Sequence, residues 1–363
     1  MRIIILFSSS KLGGAERSLS RMALASKDVE YQLATLEGDG PLCDWIRDQG
    51  SQPLVLGSGM SYKTGLSFVA FWRLLRYVRE YPVDIIYICG ARAAFVLRFL
   101  KVFFPGVKHV HGIRWNPDSN SRLDRFFRLM ERQTHPLIDA WITNSKIAKQ
   151  TLVSQCRIPD DKVTVIYNGL ESLPKDVPPL NERPTEVLTV ANLNPRKGHQ
   201  AYLRTIREVV KNVPDARFVF VGRDDMKGEV QRSIDEAGLA EFVHCEGFQA
   251  DVSTWLRRAR LMVLPSLWGE GCPTSILEGY AYGLPIVAYA IDGIPELIDD
   301  GIDGVVVSPN KPDELASAIV RVLENPVRAE SMGMVGREKV ASRFTLAHCA
   351  DEHARIFHKL IRS

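Results

Sequence analysis

Short apolar runs alternate with amphipathic stretches along nearly all of this 363-residue chain. That alternation is the signature of parallel βα units. In the first half, the runs at 3–7, 31–36, 53–56, 84–88, 108–111, 140–143 and 163–167 predict strands. Between them, 15–25 and 66–79 carry helical periodicity. Leu123, Phe126, Phe127 and Met130 fall at i, i+3, i+4 and i+7, which predicts one apolar helix face. The pattern breaks at 171–184, where four prolines and little apolar content predict a linker. A second α/β series follows, with strands expected at 187–191, 217–221, 242–245, 261–264, 285–289 and 305–308. Its helices are expected at 199–211, 228–237, 253–258 and 312–324. After Phe344, the positions Leu346, Cys349, His353, Ile356, Phe357 and Leu360 define the apolar face of a last helix. The expected division is a domain at 1–170, the linker 171–184, a domain at 185–343 and a terminal helix at 344–363.

Composition narrows the class. A hydrophobic content of 45% and a charged content of 25% are those of a soluble globular protein. A net charge of +3 argues against a dedicated nucleic-acid binder. The six cysteines are widely scattered with no C-x-x-C pair, which suits free thiols in a reducing cytosol. The first apolar run is too short for a signal peptide, and no stretch approaches the length of a membrane span. Charge is uneven, however: from Arg92 to Arg132 there are nine Lys/Arg against three Asp/Glu, interleaved with Phe95, Val96, Phe99, Val102 and Phe103. Arg125, Arg128 and Arg132 are expected on the helix side opposite Leu123, Phe126, Phe127 and Met130. A basic amphipathic helix of this kind either packs on a core or lies on anionic lipid.

One stretch carries more chemistry than its neighbours, W-G-E-G-C-P-T-S-I-L-E-G-Y-A-Y-G-L-P-I-V-A from Trp268 to Ala288. It leaves the run 261–264, crosses a loop of small residues and meets a helix start at Pro273, Thr274 and Ser275. Strand, glycine-rich loop and helix N-terminus together offer backbone N–H groups to an anion. Glu270 and Glu278 bracket the loop with seven residues between them. Their oxygens accept directed hydrogen bonds from the hydroxyls of a sugar or a ribose. Spacing alone is weak evidence, since the helix dipole favours a glutamate in an early turn anyway. A second signal is N-L-N-P-R-K-G-H, 192–199, where Arg196 and Lys197 leave a strand and enter a helix and can neutralise a diphosphate.

The first half holds fainter signals. Gly13-Gly14-Ala15-Glu16 follows the first strand, where a Cβ would hold the chain away from a ligand. There is no G-x-G-x-x-G and no P-loop. His111 at the end of 108–111, with Gly112 opening a loop, is preferred over His109 as a strand-end site histidine. Asn144 and the turn pair Asn168-Gly169 also follow strands. No D-x-D occurs, so Arg196, Lys197 and a helix N-terminus are left to neutralise phosphates without a metal.

E-G-C-P-T-S-I-L-E-G-Y-A-Y-G-L-P-I-V-A resembles the E-x7-E signature of glycosyltransferase family 4, retaining enzymes of the GT-B fold. The 192–199 element is similar to the family's P-x-K-G element, Gly13 to Glu16 to its G-G-x-E loop, and Phe344-Thr345 to the F-[ST] that opens its last helix. The resemblance implies two Rossmann-like parallel-sheet domains facing across a cleft, with the C-terminal helix crossing back to the first. It implies transfer of a hexose from a nucleoside-diphosphate sugar, UDP- or GDP-linked, with no other cofactor, to a glycan or polyprenyl-linked acceptor. Arg196 and Lys197 would then hold the diphosphate, Glu270 the sugar, Glu278 the ribose and His111 the reacting end of the sugar. Gly13, Gly14, Gly271, Cys272, Pro273, Thr274 and Ser275 would also meet the donor, with Arg223 and Phe248 beside its base. Glu16 and Asn144 would face the acceptor. The expected location is cytoplasmic, with peripheral contact on the inner face of an anionic membrane. The chain departs from the family pattern at Asp292, where a glycine is usual, at Tyr289-Ala290, where Ser/Thr-Asp is common, and at Cys272. A nucleotide-sugar epimerase and a non-catalytic partner subunit on the same scaffold are the competing expectations.

Overall fold

The computed structural model describes residues 1–57, 68–90, 93–94, 97–117 and 122–362. The expected helix start at 66–67, the basic-segment residues Arg92, Phe95 and Val96, and the Leu123 side chain lie outside that description. The chain divides into two compact units, Met1–Gly169 with Leu346–Ser363, and Leu170–Thr345.

The first unit is built on β1 (Arg2–Phe7), β2 (Glu30–Thr35), β3 (Leu54–Val55), β4 (Ile85–Cys89), β5 (Lys108–Ile113), β6 (Ala140–Thr143) and β7 (Val163–Val165). They pair in the order β3-β2-β1-β4-β5-β6-β7, and every pairing is parallel. Ile3 through Phe7 are all fully buried. Helices cover both faces of a parallel sheet, so its central strand reads as an unbroken apolar run. Ile3, Ile5 and Phe7 belong to one core with the helices Gly14–Ala25 and Leu346–Arg362. Ile4 and Leu6 belong to another with the helix Phe68–Glu80. The last helix thus completes the first unit: Phe357 packs edge-on against Tyr87 and Tyr31, at ring distances of 5.7 and 6.5 Å.

The second unit repeats the plan with β8 (Glu186–Val190), β9 (Arg217–Val221), β10 (Val243–Gly247), β11 (Leu261–Leu264), β12 (Ile286–Tyr289) and β13 (Gly304–Val307). The order is β10-β9-β8-β11-β12-β13, again all parallel. In each sheet the chain winds outward one way from its first strand, then returns to wind the other way. The reversal lies between β1 and β4, and between β8 and β11. Ligands of doubly wound sheets bind outside the strand C-termini at that reversal.

Three features differ from the sequence expectation. The segment read as a linker is fastened into the second unit: Arg183 is buried and donates to the carbonyls of Pro178, Ala259 and Tyr282 at 2.9–3.0 Å. An 18-residue helix, Pro326–Arg343, shows no apolar periodicity because its buried face includes Gly333 and Gly336. A Cβ at Gly333 would stand 1.9 Å from the Gly283 carbonyl oxygen, so the close approach selects glycine over a better helix former. On the helix Arg122–Thr134, Phe127 turns inward while Phe126 stays 51% exposed, so Phe126 shares the arginines' side.

Candidate active site

The focal stretch folds as β11, a loop, and the helix Thr274–Ala281, whose N-cap is Pro273. Gly279 lets this helix lie close on the sheet, since a Cβ there would meet Ile286 at 2.8 Å and the Met262 sulfur at 2.9 Å. The loop after β8 makes a 3-10 turn, Pro195–Lys197, and turns into the helix His199–Asn212 through Gly198. Gly198 has φ +72, and a Cβ would stand 2.2 Å from the Pro265 carbonyl oxygen. The position therefore requires glycine both for its backbone conformation and for space. Since β8 and β11 are neighbours at the reversal, these two loops come side by side.

They are joined by charge. Lys197 pairs with Glu270, and Arg196 donates to the Gly269 carbonyl at 3.0 Å. The Leu267 N–H donates to the Arg196 carbonyl at 2.7 Å. Glu270 is buried, and burial by itself would raise its pKa; the Lys197 and Arg196 charges outweigh it and hold the carboxyl below its usual value. Glu270 therefore stays ionised through the neutral range. Two cations and one carboxylate collect where backbone N–H groups of a helix start also converge. That arrangement can compensate phosphate charge and accept hydroxyl hydrogen bonds within one site.

Asp292, in the sequence only a departure from the family pattern, joins the candidate site in the structure. Its carboxylate accepts from the Gly269 N–H at 2.6 Å and the Glu270 N–H at 3.0 Å, fixing the loop that carries Glu270. Its φ of +46 is left-handed, where glycine is favoured and aspartate is among the tolerated residues. The usual glycine at this position was the signal: an aspartate put there keeps the backbone and adds an acceptor.

The remaining donor candidates are placed as follows. Gly271, Cys272 and Pro273 are buried in the loop, and Thr274, Ser275 and Glu278 are half-buried on the helix. Arg223 pairs with Asp225 at 2.8 Å, and its N–H donates to the Asn192 side chain at 3.0 Å. Phe248, after Gly247 at the end of β10, is 48% exposed.

In the first unit, Gly13 caps the helix Gly14–Ala25, and a Cβ on it would stand 2.5 Å from a Glu16 carboxylate oxygen. Asn144 is buried after β6, its side-chain oxygen without a hydrogen-bond partner among the described residues. Gly112 does not open a loop: β5 runs on to Ile113, and Gly112 lies within it because a Cβ would strike the Tyr87 ring at 2.7 Å. The first residue past the strand is Arg114, which donates to Asn168 at 3.1 Å and to the Tyr87 hydroxyl at 3.2 Å. His111 is fully enclosed, with Nδ1 3.1 Å from Glu131. Glu131 also pairs with Arg98 and accepts from the Trp141 indole at 2.9 Å. Burial raises the Glu131 carboxyl, but His111 and Arg98 outweigh it and bring it down to about 2. His109 is equally enclosed. The structure thus gathers Arg196, Lys197, Glu270 and Asp292, and puts His111 in a buried network of its own unit. Among the described residues no group of three or more His, Cys, Asp or Glu is placed to hold a metal ion.

Comparison with known proteins fits this geometry. The Glycosyltransferase Family 4 model matches residues 12–172, and the Glycosyl transferases group 1 model matches 184–325. The UDP-Gal:alpha-D-GlcNAc-diphosphoundecaprenol alpha-1,3-galactosyltransferase of Escherichia coli is 24% identical over 94% of this chain and 92% of its own. Alpha-D-kanosaminyltransferase of Streptomyces kanamyceticus is 30% identical, matched over 50% of this chain and 47% of its own length. The crystal structure of Anabaena HepE in complex with UDP and glucose superposes with a TM-score of 0.84, covering 99% of this chain and 100% of that one at 22% identity. The sucrose-phosphate synthase of Thermosynechococcus elongatus gives 0.82, with 99% of each chain covered at 20% identity. The two sheets are those of the GT-B fold, and this chain belongs to the group 1, family 4 glycosyltransferases.

Proposed function

We propose that this chain transfers a hexose from a UDP- or GDP-sugar to a hydroxyl of a glycan or lipid-linked acceptor, retaining the anomeric configuration. The setting is polysaccharide or glycolipid synthesis. The observation that carries the reading is the buried Lys197–Glu270 pair, backed by Arg196, at the reversal point of the second sheet. As the acceptor oxygen bonds to the anomeric carbon, the sugar–phosphate bond breaks and negative charge grows on the diphosphate. Arg196 and Lys197 are positioned to stabilise that charge, with no divalent ion assigned. The acceptor's proton goes to a leaving phosphate oxygen. Glu270 orients the sugar, Glu278 the ribose, and the N–H groups from Gly271 to Ser275 the phosphates. Arg223 and Phe248 flank the base. We assign Gly13 and Gly14 to the donor, and Glu16 and Asn144 to the acceptor. His111, enclosed with Glu131, enters as a positioning residue for β5 and not as a group that meets the sugar.

The relatives' printed activities support both bases: the Escherichia coli enzyme is named for UDP-galactose, and a relative from Mycolicibacterium smegmatis, 32% identical over 44% of this chain, for GDP-mannose. Both names also specify lipid-linked acceptors. A panel of UDP-, GDP- and ADP-sugars, scored for nucleotide release with and without polyprenyl-phosphate or glycan acceptors, tests the reading. Acceptor-dependent release in the presence of a metal chelator, giving an α-linked product by NMR, is expected. Donor turnover that ignores every acceptor would favour the epimerase, and no turnover of any donor would remove the transferase assignment.

A further inference from the structure

We propose that the outer helix layer of the first unit is a docking surface for an anionic lipid bilayer. The inference deepens the transferase reading, and rests on it for the lipid-linked acceptor that such a bilayer would carry.

Three helical segments, Phe68–Glu80, Leu100–Phe103 and Arg122–Thr134, cover one face of the first sheet. Sheet register carries that face across: Ile4 pairs with Ile86, Ile88 with His111, and Ile113 lies two residues further along β5. The first two helices pack on the Ile4, Ile86 and Ile88 side, and Phe127 of the third packs with Ile113. The layer is continuous. Phe71 meets Phe103 edge-on at 6.2 Å, and buried Arg98 pairs with Glu131 of the third helix.

Its outer side is apolar to a degree the rest of the described surface does not match. Among the described residues, eight large hydrophobics are more than half exposed. Five of them, Trp72, Val102, Phe103, Phe126 and Leu129, stand on this one layer; Ile302, Val327 and Met334 lie in the other unit. On the third helix the exposed stripe reads Arg122, Arg125, Phe126, Leu129, Arg132. Of the helix's two acids, Glu131 is fully buried and Asp124 half-buried, so neither shares that exposure. Arg76 on the first helix, with 86% of its side chain exposed, lies 3.9 Å from the carboxylate of Glu80, which offsets its charge.

This mixture decides the occupant. Arginine and aromatic residues also meet at protein interfaces, but here an arginine recurs at nearly every turn beside Phe126 and Leu129 with no fully exposed acid on the same helix, the pattern of a basic amphipathic helix on an anionic surface. At a bilayer the two sets separate by depth: the apolar side chains enter the headgroup–acyl boundary while the guanidinium groups reach back to lipid phosphates. Each basic residue near an anionic surface contributes about fivefold in binding.

The test is flotation of the full chain with vesicles of phosphatidylcholine, with and without about a third phosphatidylglycerol. Binding to the anionic vesicles, weakened in high salt, is expected. Arg125→Ala with Arg132→Ala should lower partitioning roughly thirtyfold. Phe126→Ser with Leu129→Ser should abolish it, with little change in circular dichroism, since each residue is already about half exposed. Equal binding to neutral vesicles, no binding at low salt, or indifference to both pairs of substitutions overturns the proposal. So does a sedimentation shift showing that the same residues hold a second copy of the chain. Vesicle binding by a chain inactive on every donor would leave this surface standing and sink the transferase reading. Transfer to a soluble acceptor without vesicle binding would do the reverse.

Discussion

The two sheets share one strand order up to the sixth strand, yet they use buried charge in opposite ways. In the first unit Arg98, Glu131 and His111 are enclosed behind the sheet's helix layer, where Glu131 lies against three neighbours at once. In the second, Arg196, Lys197 and Glu270 stand at the strand ends beside a helix start, held by backbone contacts from the adjoining loop. Topology therefore does not decide where buried charge gathers. In this chain the loops at the reversal point of the second sheet carry the matched charges.

Removing a partner from each network separates the two uses. Glu131→Ala leaves Arg98 buried without its carboxylate, so a loss of about 3–5 kcal/mol of stability is expected in chemical denaturation. Lys197→Ala also leaves a buried carboxylate, Glu270, with less counter-charge and should cost some stability, but its distinguishing mark is a kcat lowered by roughly two orders of magnitude in a chain that is still folded, as a lost charge-stabilising donor does. Full kcat in that variant would falsify the site. Acid sharpens the contrast next. Burial, with the nearby Lys101 charge, brings His109 down to about 4, and burial, with Arg114, brings His353 down to about 3. The second unit encloses His199, lowered by burial to about 4. An unfolded histidine takes up a proton near pH 6.5 while these folded ones do not, so stability is full above that value and falls as pH drops. At pH 5 the loss is about 2 kcal/mol for each such histidine. Hydrogen exchange should therefore rise more in the first unit than in the second between pH 7 and 5. The smallest effect is expected from Asp292→Asn, which keeps the tolerated backbone but weakens the acceptor for two N–H groups. A kcat reduced by about tenfold, with the donor's KM changed less, would mark it as a positioning residue.

How much of this was legible varied with the kind of signal. Strands 140–143, 217–221 and 261–264 match the structure at both ends, because a strand buried on both faces writes itself as an unbroken apolar run. The Arg196–Lys197 and Glu270 loops could be placed from their strands and helix starts alone. The Pro326–Arg343 helix could not, since glycines chosen for close approach erase the period. Phe126 and Phe127 fit one helical face equally well on paper, and only packing decides which enters the core. Asp292 lies 22 residues from the N–H group of Glu270 that it holds, a distance over which no spacing rule operates.

The Leu346–Arg362 helix has a consequence for synthesis. It supplies Leu346, Cys349 and Phe357 to the core of the first unit, although that unit's other residues end at Gly169. At ordinary translation speeds the intervening residues take roughly 10–40 s to make. For that interval the earliest-made half exists with one wall of its core open, while the later half can close on its own residues. The nascent chain is thus most exposed to chaperones and proteases through its first-made part, and a stall late in translation would strand that part unfinished.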